Sequence, residues 1–356
     1  MPENPPSTSP TRTEHRASPV WSLAGTILRT AILALAVFLV VRLVSSVSWV
    51  DLRNRLATAS PALLAATFVA LIARFAAWQH RWSLALRQIG EPRGLRVRFA
   101  ALTASILINH VTPTVRLLGG IVRARYLAAR QEYGFARVYG AVLFDQLVHH
   151  VVSGLFTWAA LVGFTWYLGR TTLTWLAVSA APLLAAYLFW RSRRGEPSPQ
   201  RRLARVLTRR IRQRSQRFDL FLNRGRETVA VLTGLLKNKP VILQGAFWTA
   251  VVFFLNFSAQ ALLFAAIDAR VAPIAVFAVV ALGSVAGALA GTPGGIGSTE
   301  AAMIAGYAAL GIESADAVTA VLAFRGFHYI SVIVTGLPSL IWLSMIGRLR
   351  APIIGR

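Results

Sequence analysis

Apolar residues fall along the chain in long blocks rather than in the one-sided stripe of a soluble helix. Runs at about 62–79, 138–164, 172–190, 241–267 and 318–346 approach or exceed the ~20 residues a helix needs to cross a bilayer. An earlier run, about Leu23 to Val47, contains Arg29 and Arg42. Its apolar centre has the length of a signal-peptide core, but no clear small-x-small cleavage site leads into a soluble domain. It reads as an uncleaved first helix whose arginines snorkel. Two shorter runs, Phe99–Val111 and Pro273–Ala290, end at the same dipeptide, Thr112-Pro113 and Thr292-Pro293.

Charge turns these blocks into a topology. The segment Arg81–Arg98 carries five arginines and one glutamate, residues 191–239 carry fifteen cations against three acids, and the tail ends with Arg348, Arg350 and Arg356. Cytoplasmic loops collect Lys and Arg, so these segments and the N-terminus are expected on the cytoplasmic side. An even number of crossings must then separate Arg98 from Arg191, and Lys239 from Arg348. The long helices use both crossings in each interval. The remaining segments, 99–137 and 273–317, must enter and return on one face each. The expectation is an all-α integral membrane protein with about six spanning helices plus two re-entrant broken-helix hairpins, in a weak inverted repeat. Residues 1–22 form a disordered cytoplasmic N-terminus, 23–347 a single bundle and 348–356 a cytoplasmic tail. The repeats cover about 61–167 and 241–347, around a basic loop at 191–240.

The hairpin tips are 180 residues apart. At that offset Val138 meets Val318, Phe144 meets Phe324, and Asp145 falls opposite Arg325. Inverted repeats with broken helices meeting near mid-membrane are a common transporter construction. In the second tip, "GTPGGIGSTE", proline stops a helix and glycines let the chain turn. Such backbone survives in lipid only when buried in protein or lining a wet cavity. The helix starting near Ser298 would aim its free N–H groups there, a place for an anion.

Composition agrees: the 356 residues are 55% hydrophobic and 14% charged, where soluble domains are nearer a quarter charged. The net charge of +25 rests almost wholly on arginine and is read as positive-inside loops, not nucleic-acid binding. Without cysteine, disulfides, zinc–thiolate sites and thiol nucleophiles are excluded. Within the basic loop, Leu203, Leu207, Ile211, Phe218 and Leu222 approximate one helical stripe, suited either to an interfacial helix on anionic lipid or to a plain solvated loop.

Ionisable residues inside apolar runs cost roughly 2.5–3.5 kcal/mol each to insert, so each is a candidate for function. They are Arg74, His110, Asp145, His149, His150, Glu300, Arg325 and His328, with Arg116 and Arg123 on the return limb of the first hairpin. Glu300 either caps its own helix as the N3 residue after Gly297 or faces the cavity. Asp145 and His149 share a helix face and either hydrogen-bond structurally or handle protons. Arg325 either pairs with Asp145 or Glu300 or holds a phosphate. No metal site is expected, and no GxSxG, P-loop or HExxH signature occurs.

The blocks "NHVTPTVRLLGGIVRARYLAAR" with "FARVYGAVLFDQLVHH", and "TPGGIGSTEAAMIAGYAALGI" with "AVTAVLAFRGFHYI", resemble the two motif blocks of the lysylphosphatidylglycerol synthase transmembrane-region, or flippase-like, family. The resemblance spans about 24–347. It implies a helical bundle with broken helices that moves a lipid across the bilayer. Stand-alone members are thought to handle other lipids, including polyprenyl-phosphate-linked ones. By position, Pro293, Gly294, Gly295, Gly297, Glu300 and Arg325 match the second block, and Thr112, Pro113, Arg116, Gly119, Gly120 and Arg123 the first. Two departures stand out: Ile121 where the family often has an acid, and Asp145-Gln146 where it often has Glu-Arg. The 356 residues leave no room for the soluble aminoacyl-transferase domain of the fused members, so the chain is expected not to be an enzyme.

The expected function is translocation of an anionic or polyprenyl-phosphate-linked lipid across the plasma membrane, with both termini cytoplasmic. The substrate would be held by Arg116, Arg123, Thr292, Pro293, Gly294, Gly295, Glu300 and Arg325. Asp145, His149, His150 and Glu300 are candidates for proton coupling. No cofactor is expected. A membrane lipid is the expected partner, with a separate lipid-modifying enzyme as a further one. The alternatives are a membrane-embedded transferase with Asp145 or Glu300 as base, or a non-transporting partner of another enzyme.

Overall fold

The computed structural model describes residues 49–90, 94–112, 117–128, 134–167, 169–170, 216–290 and 293–349. The expected first helix, the 172–190 helix and both chain ends lie outside the described residues. So do Pro113, Arg116 and Thr292. Among the described residues are ten α-helices: α1 Trp49–Thr58, α2 Pro61–Arg87, α3 Leu95–Val111, α4 Leu117–Ala128, α5 Phe135–Tyr167, α6 Gln216–Lys237, α7 Lys239–Ala266, α8 Pro273–Ala290, α9 Ser298–Ala309 and α10 Ser314–Leu349. No strand occurs among them. Helices satisfy every backbone group internally, which the apolar sequence demands once it sits in lipid.

Four helices are long and apolar enough to span a bilayer: α2, α5, α7 and α10. Each fits one of the sequence blocks. Proline opens two of them at positions where a missing N–H costs nothing, Pro61 in α2 and Pro240 in α7, and the Asn238 side chain accepts from Val241 N–H at 3.4 Å. The elements recur in order: α2, α3, α4 and α5 begin at 61, 95, 117 and 135, and α7, α8, α9 and α10 at 239, 273, 298 and 314.

The repeat is inverted. The equivalent helices α2 and α7 run antiparallel: Ser60 N–H donates to Ala266 C=O at 2.9 Å, the Thr67 hydroxyl reaches Ala259 C=O at 3.5 Å, and the Asn238 amide donates to Gln88 at 3.1 Å. The first hairpin, α3–α4, has both outer ends beside the end of α2 and the start of α5. The second, α8–α9, has both outer ends beside the end of α7 and the start of α10. They point at each other from opposite ends of the bundle.

The long helix α10 carries both. Its first half packs Ala317, Ala320, Val321 and Phe324 against Met303 and Tyr307 of α9. Its second half packs Leu343 against Ala100 and Ala104 of α3. Gly336 permits that approach, because a Cβ there would stand 2.8 Å from the Leu107 Cβ and 2.9 Å from the Thr103 carbonyl. The tips meet halfway along, at residues 325–329. Gly294, at φ 62° in the 3₁₀ turn Pro293–Gly295, lies against His110 and Tyr329. Only glycine takes that left-handed turn without strain.

The two largest apolar clusters among the described residues lie one around each hairpin. Phe75, Trp82, Leu102, Val142 and Phe144 anchor the first; Leu71, Leu263, Phe264, Tyr307 and Phe324 anchor the second. One sequence expectation is corrected. Arg81 to Arg98 is not wholly a cytoplasmic linker, because α2 continues to Arg87 and buries Arg81 at 2% exposure, and α3 buries Arg98. The Arg81 carbonyl and amide are used in helix bonding, and its head group finds a carboxylate inside the protein.

Candidate functional site

Two buried clusters of charge lie in the bundle, both anchored on α2. Arg74 and Arg81 are seven residues apart, two helical turns on nearly the same face and about 10 Å along the axis.

The first cluster is centred on Asp145 of α5. Arg81 Nε donates to one carboxylate oxygen at 2.7 Å, and Arg123 Nη2 of α4 donates to the other at 3.1 Å. Trp78 Nε1 adds a third donor at 3.2 Å. Arg81 Nη1 also reaches the Thr249 hydroxyl at 3.1 Å and His149 Nδ1 at 3.3 Å. The guanidinium planes are supported by rings, Arg123 over Trp82 at 4.4 Å and Arg81 over Trp78 at 5.4 Å. All three charged side chains are essentially inaccessible, at 1–3% exposure.

The second cluster sits at the hairpin tips. Glu300 divides its oxygens: one accepts from Gly297 N–H at 2.7 Å, the other from Arg325 Nε. The cap read from the sequence and the pairing with Arg325 are therefore both present, on different oxygens. Arg325 Nη2 also donates to the Gly294 carbonyl at 2.8 Å and to the Tyr329 hydroxyl. Arg325 thereby staples the tip turn to α10.

Beside it runs a polar chain that links α7, α2 and α10 to the first hairpin. Arg74 Nη1 donates to Asn256 at 2.6 Å and to His328 Nδ1 at 3.2 Å. His328 Nε2 faces His110 Nε2 at 3.0 Å, and His110 Nδ1 lies 2.8 Å from the Ile106 carbonyl. Arginine can only donate and a carbonyl can only accept. The chain therefore has one consistent direction: His328 carries its proton on Nε2 and donates to His110, which carries its own on Nδ1.

The structure thus gathers Glu300, Gly294, Gly295 and Arg325 at the second tip with His110, His328 and Arg74. It gathers Asp145, Arg123 and His149 in the first cluster. Pro293 is placed by its backbone in the tip turn. His150 stands apart: it is exposed, and its Nδ1 turns back on the Gln146 carbonyl of its own helix at 2.5 Å. Sequence reasoning missed Arg81, Trp78, Asn256 and Tyr329. The signal for the first two was their spacing from Arg74, four residues to Trp78 and seven to Arg81, which continues one face of α2 past Gln79.

The sequence profile described as "Lysylphosphatidylglycerol synthase TM region" matches residues 26–336, most of the chain. The chain belongs to this family. It is also similar to two proteins described as UPF0104 membrane proteins. One, from Methanothermobacter thermautotrophicus, is 24% identical over 283 residues, covering 77% of this chain and 83% of the relative. The other, from Methanocaldococcus jannaschii, is 21% identical over 272 residues, covering 72% and 77%. The match to the family is to its transmembrane region, and both relatives are described as membrane proteins, so a multi-pass membrane protein with a lipid-related family context is what the comparisons establish.

Proposed function

We propose that this chain translocates an anionic lipid across the cytoplasmic membrane, passing the headgroup between the two opposed hairpins. The observation that carries the reading is a surplus of buried positive charge. Among the described residues Arg74, Arg81, Arg123 and Arg325 are buried, against the acids Asp145 and Glu300. Burying a charge without a counter-charge costs several kcal/mol even after relaxation. A headgroup phosphate supplies that counter-charge without adding a permanent acid to the core. Arginine is also the side chain whose planar fork best matches phosphate oxygens.

The hairpins are re-entrant in this reading. Their limbs are 17, 12, 18 and 12 residues long, and a 12-residue limb reaches only about 18 Å of a ~30 Å hydrocarbon core. The end of the bundle carrying Arg87, Arg96, Arg125, Arg137, Lys237 and Lys239 faces the cytoplasm. At the other end Arg53, Arg55, Arg170 and Arg270 stand against Asp268, Glu313 and Asp316, a smaller excess of cations. The tips in contact represent a closed arrangement, and rocking of one repeat against the other parts them.

The His110–His328 contact is where a coupling proton acts. Protonating His110 on Nε2 removes the one acceptor in that contact, and Arg74 on α2, donating to His328 Nδ1, prevents His328 from reversing its tautomer. Neither buried carboxylate is a free base, since Asp145 is held by two arginines and Glu300 by Arg325 and a backbone N–H. That supports transport over membrane-embedded transfer chemistry.

The test is reconstitution of the purified chain in vesicles with acyl-labelled phosphatidylglycerol, followed by quenching of the outer leaflet. The chain should expose inner-leaflet label faster than empty vesicles, and Arg325→Ala should lose most of that rate. Equal rates with and without protein, or a covalently altered lipid by mass spectrometry, overturns the proposal.

A further inference from the structure

The Asp145 cluster contains more donors than it uses. Arg81 Nη2, Arg123 Nε and Arg123 Nη1 are buried and meet no acceptor among the described residues. Those three nitrogens carry five N–H groups. The arginines themselves are held in place: Arg81 by Asp145, Thr249 and His149, Arg123 by Asp145 and the face of Trp82. An anchored guanidinium pair with idle donors is a prepared anion site, because the cost of ordering the side chains is already met by other contacts.

The tip cluster differs. Arg325 is committed to Glu300, Gly294 and Tyr329, and among the described residues Nε of Arg74 is the fully buried guanidinium nitrogen there without an acceptor. The two arginines of the first cluster also sit on different moving parts. Arg81 belongs to α2, antiparallel to α7 at the centre of the repeat, whereas Arg123 belongs to the return limb of the first hairpin. Displacement of that hairpin opens the gap between them. The charge is specific as well: two guanidiniums against one carboxylate leave one positive charge.

Resting on the translocation reading, we propose that Arg81 and Arg123 form the loading site for the phosphate of a monoanionic phosphodiester headgroup, with Asp145 setting the single negative charge the site accepts. Arg81 binds directly, a role the family motif does not give it. The site lies on the basic half of the bundle, so the headgroup enters from that end.

Calorimetric titration of the full chain in neutral detergent tests this, with short-chain phosphatidylglycerol, phosphatidylcholine and phosphatidic acid as probes and inorganic phosphate as competitor. The wild type should bind phosphatidylglycerol in preference to the other two. Arg81→Gln and Arg123→Gln should each weaken that binding at least about tenfold, the loss of a charge-assisted pair. Arg137→Gln, at the exposed pair with Glu227, should not. Asp145→Asn raises the site charge to two and should shift preference toward phosphatidic acid at pH 8. Arg123→Gln with Asp145→Asn restores one charge and should restore the preference for phosphatidylglycerol. If the glutamine variants fail to fold, Arg81→Lys and Arg123→Lys keep the charge and lose the fork, and should still weaken binding. Binding unchanged in these variants, or a preference untouched by Asp145→Asn, overturns this inference while vesicle translocation dependent on Arg325 still stands. A wild type that neither binds nor moves lipid sinks the parent reading. Inorganic phosphate competing as strongly as the lipid assigns the site to a free anion and overturns the headgroup assignment.

Discussion

Glu300→Gln is the smallest change that addresses the hairpin tip. Glu300 serves two donors with two oxygens, Gly297 N–H at 2.7 Å and Arg325 Nε. Glutamine keeps the shape but has one oxygen. Its NH₂ group must then face either a guanidinium or a backbone N–H, donor against donor. Losing only the helix-terminal bond would cost about 1 kcal/mol. Stranding Arg325 inside the protein costs more, on the order of 3–5 kcal/mol, as when one partner of a buried ion pair is removed. Arg325 keeps the Gly294 carbonyl and the Tyr329 hydroxyl, so the lower part of that range is expected, about 3 kcal/mol. The assay is unfolding of the full chain in detergent for the wild type, Glu300→Gln, Arg325→Met and the double variant. The double should lose less than the sum of the singles, with a coupling of about 1–3 kcal/mol. Additive losses, or a Glu300→Gln cost no larger than the bond to Gly297, would refute the pairing as the tip's fastener.

Other expectations follow from single contacts. Gly336→Leu should push α3 from α10, since even a Cβ there stands 2.8 Å from the Leu107 Cβ; a loss of about 1–3 kcal/mol is expected from overpacking, read by the same unfolding assay. His328→Phe removes both the donor to His110 and the acceptor for Arg74 and should slow translocation in the vesicle assay, whereas His150→Phe, at the exposed face of α5, should not. Asp145→Ala leaves Arg81 and Arg123 facing each other without their shared carboxylate and should destabilise by about 3–5 kcal/mol, with Arg123→Met recovering part of it in the double variant.

The spanning helices were legible because lipid imposes length and apolarity, and the blocks at 62–79, 138–164, 241–267 and 318–346 each became a helix. The tips were legible from Thr-Pro and the glycines, since few other residues stop and turn a helix so sharply. Charge pairing was not. The sequence pattern places Arg81 in a loop, because the apolar block ends at Gln79 while α2 runs on to Arg87. Periodicity reports a helix face but not the partner across it, so only the packing of α2, α4 and α5 brings Asp145 between Arg81 and Arg123. The same holds for Arg325, for which the sequence leaves open pairing with Asp145, pairing with Glu300 and the favoured binding of phosphate. His150 shows the converse: it shares the sequence setting of His149 yet faces outward.

The opposed entry of the two hairpins underlies every functional statement here, and a chain without native cysteine makes it directly measurable. Single cysteines at the outer ends of the first hairpin (Arg96, Arg125) and of the second (Ile274, Ala308), all exposed, are labelled in sealed membranes with an impermeant maleimide from each side. Both ends of the first hairpin should react only from the cytoplasm, and both ends of the second only from outside. If the two ends of one hairpin react from opposite sides, or all four from the same side, the hairpins do not meet from opposing leaflets and the translocation account is contradicted.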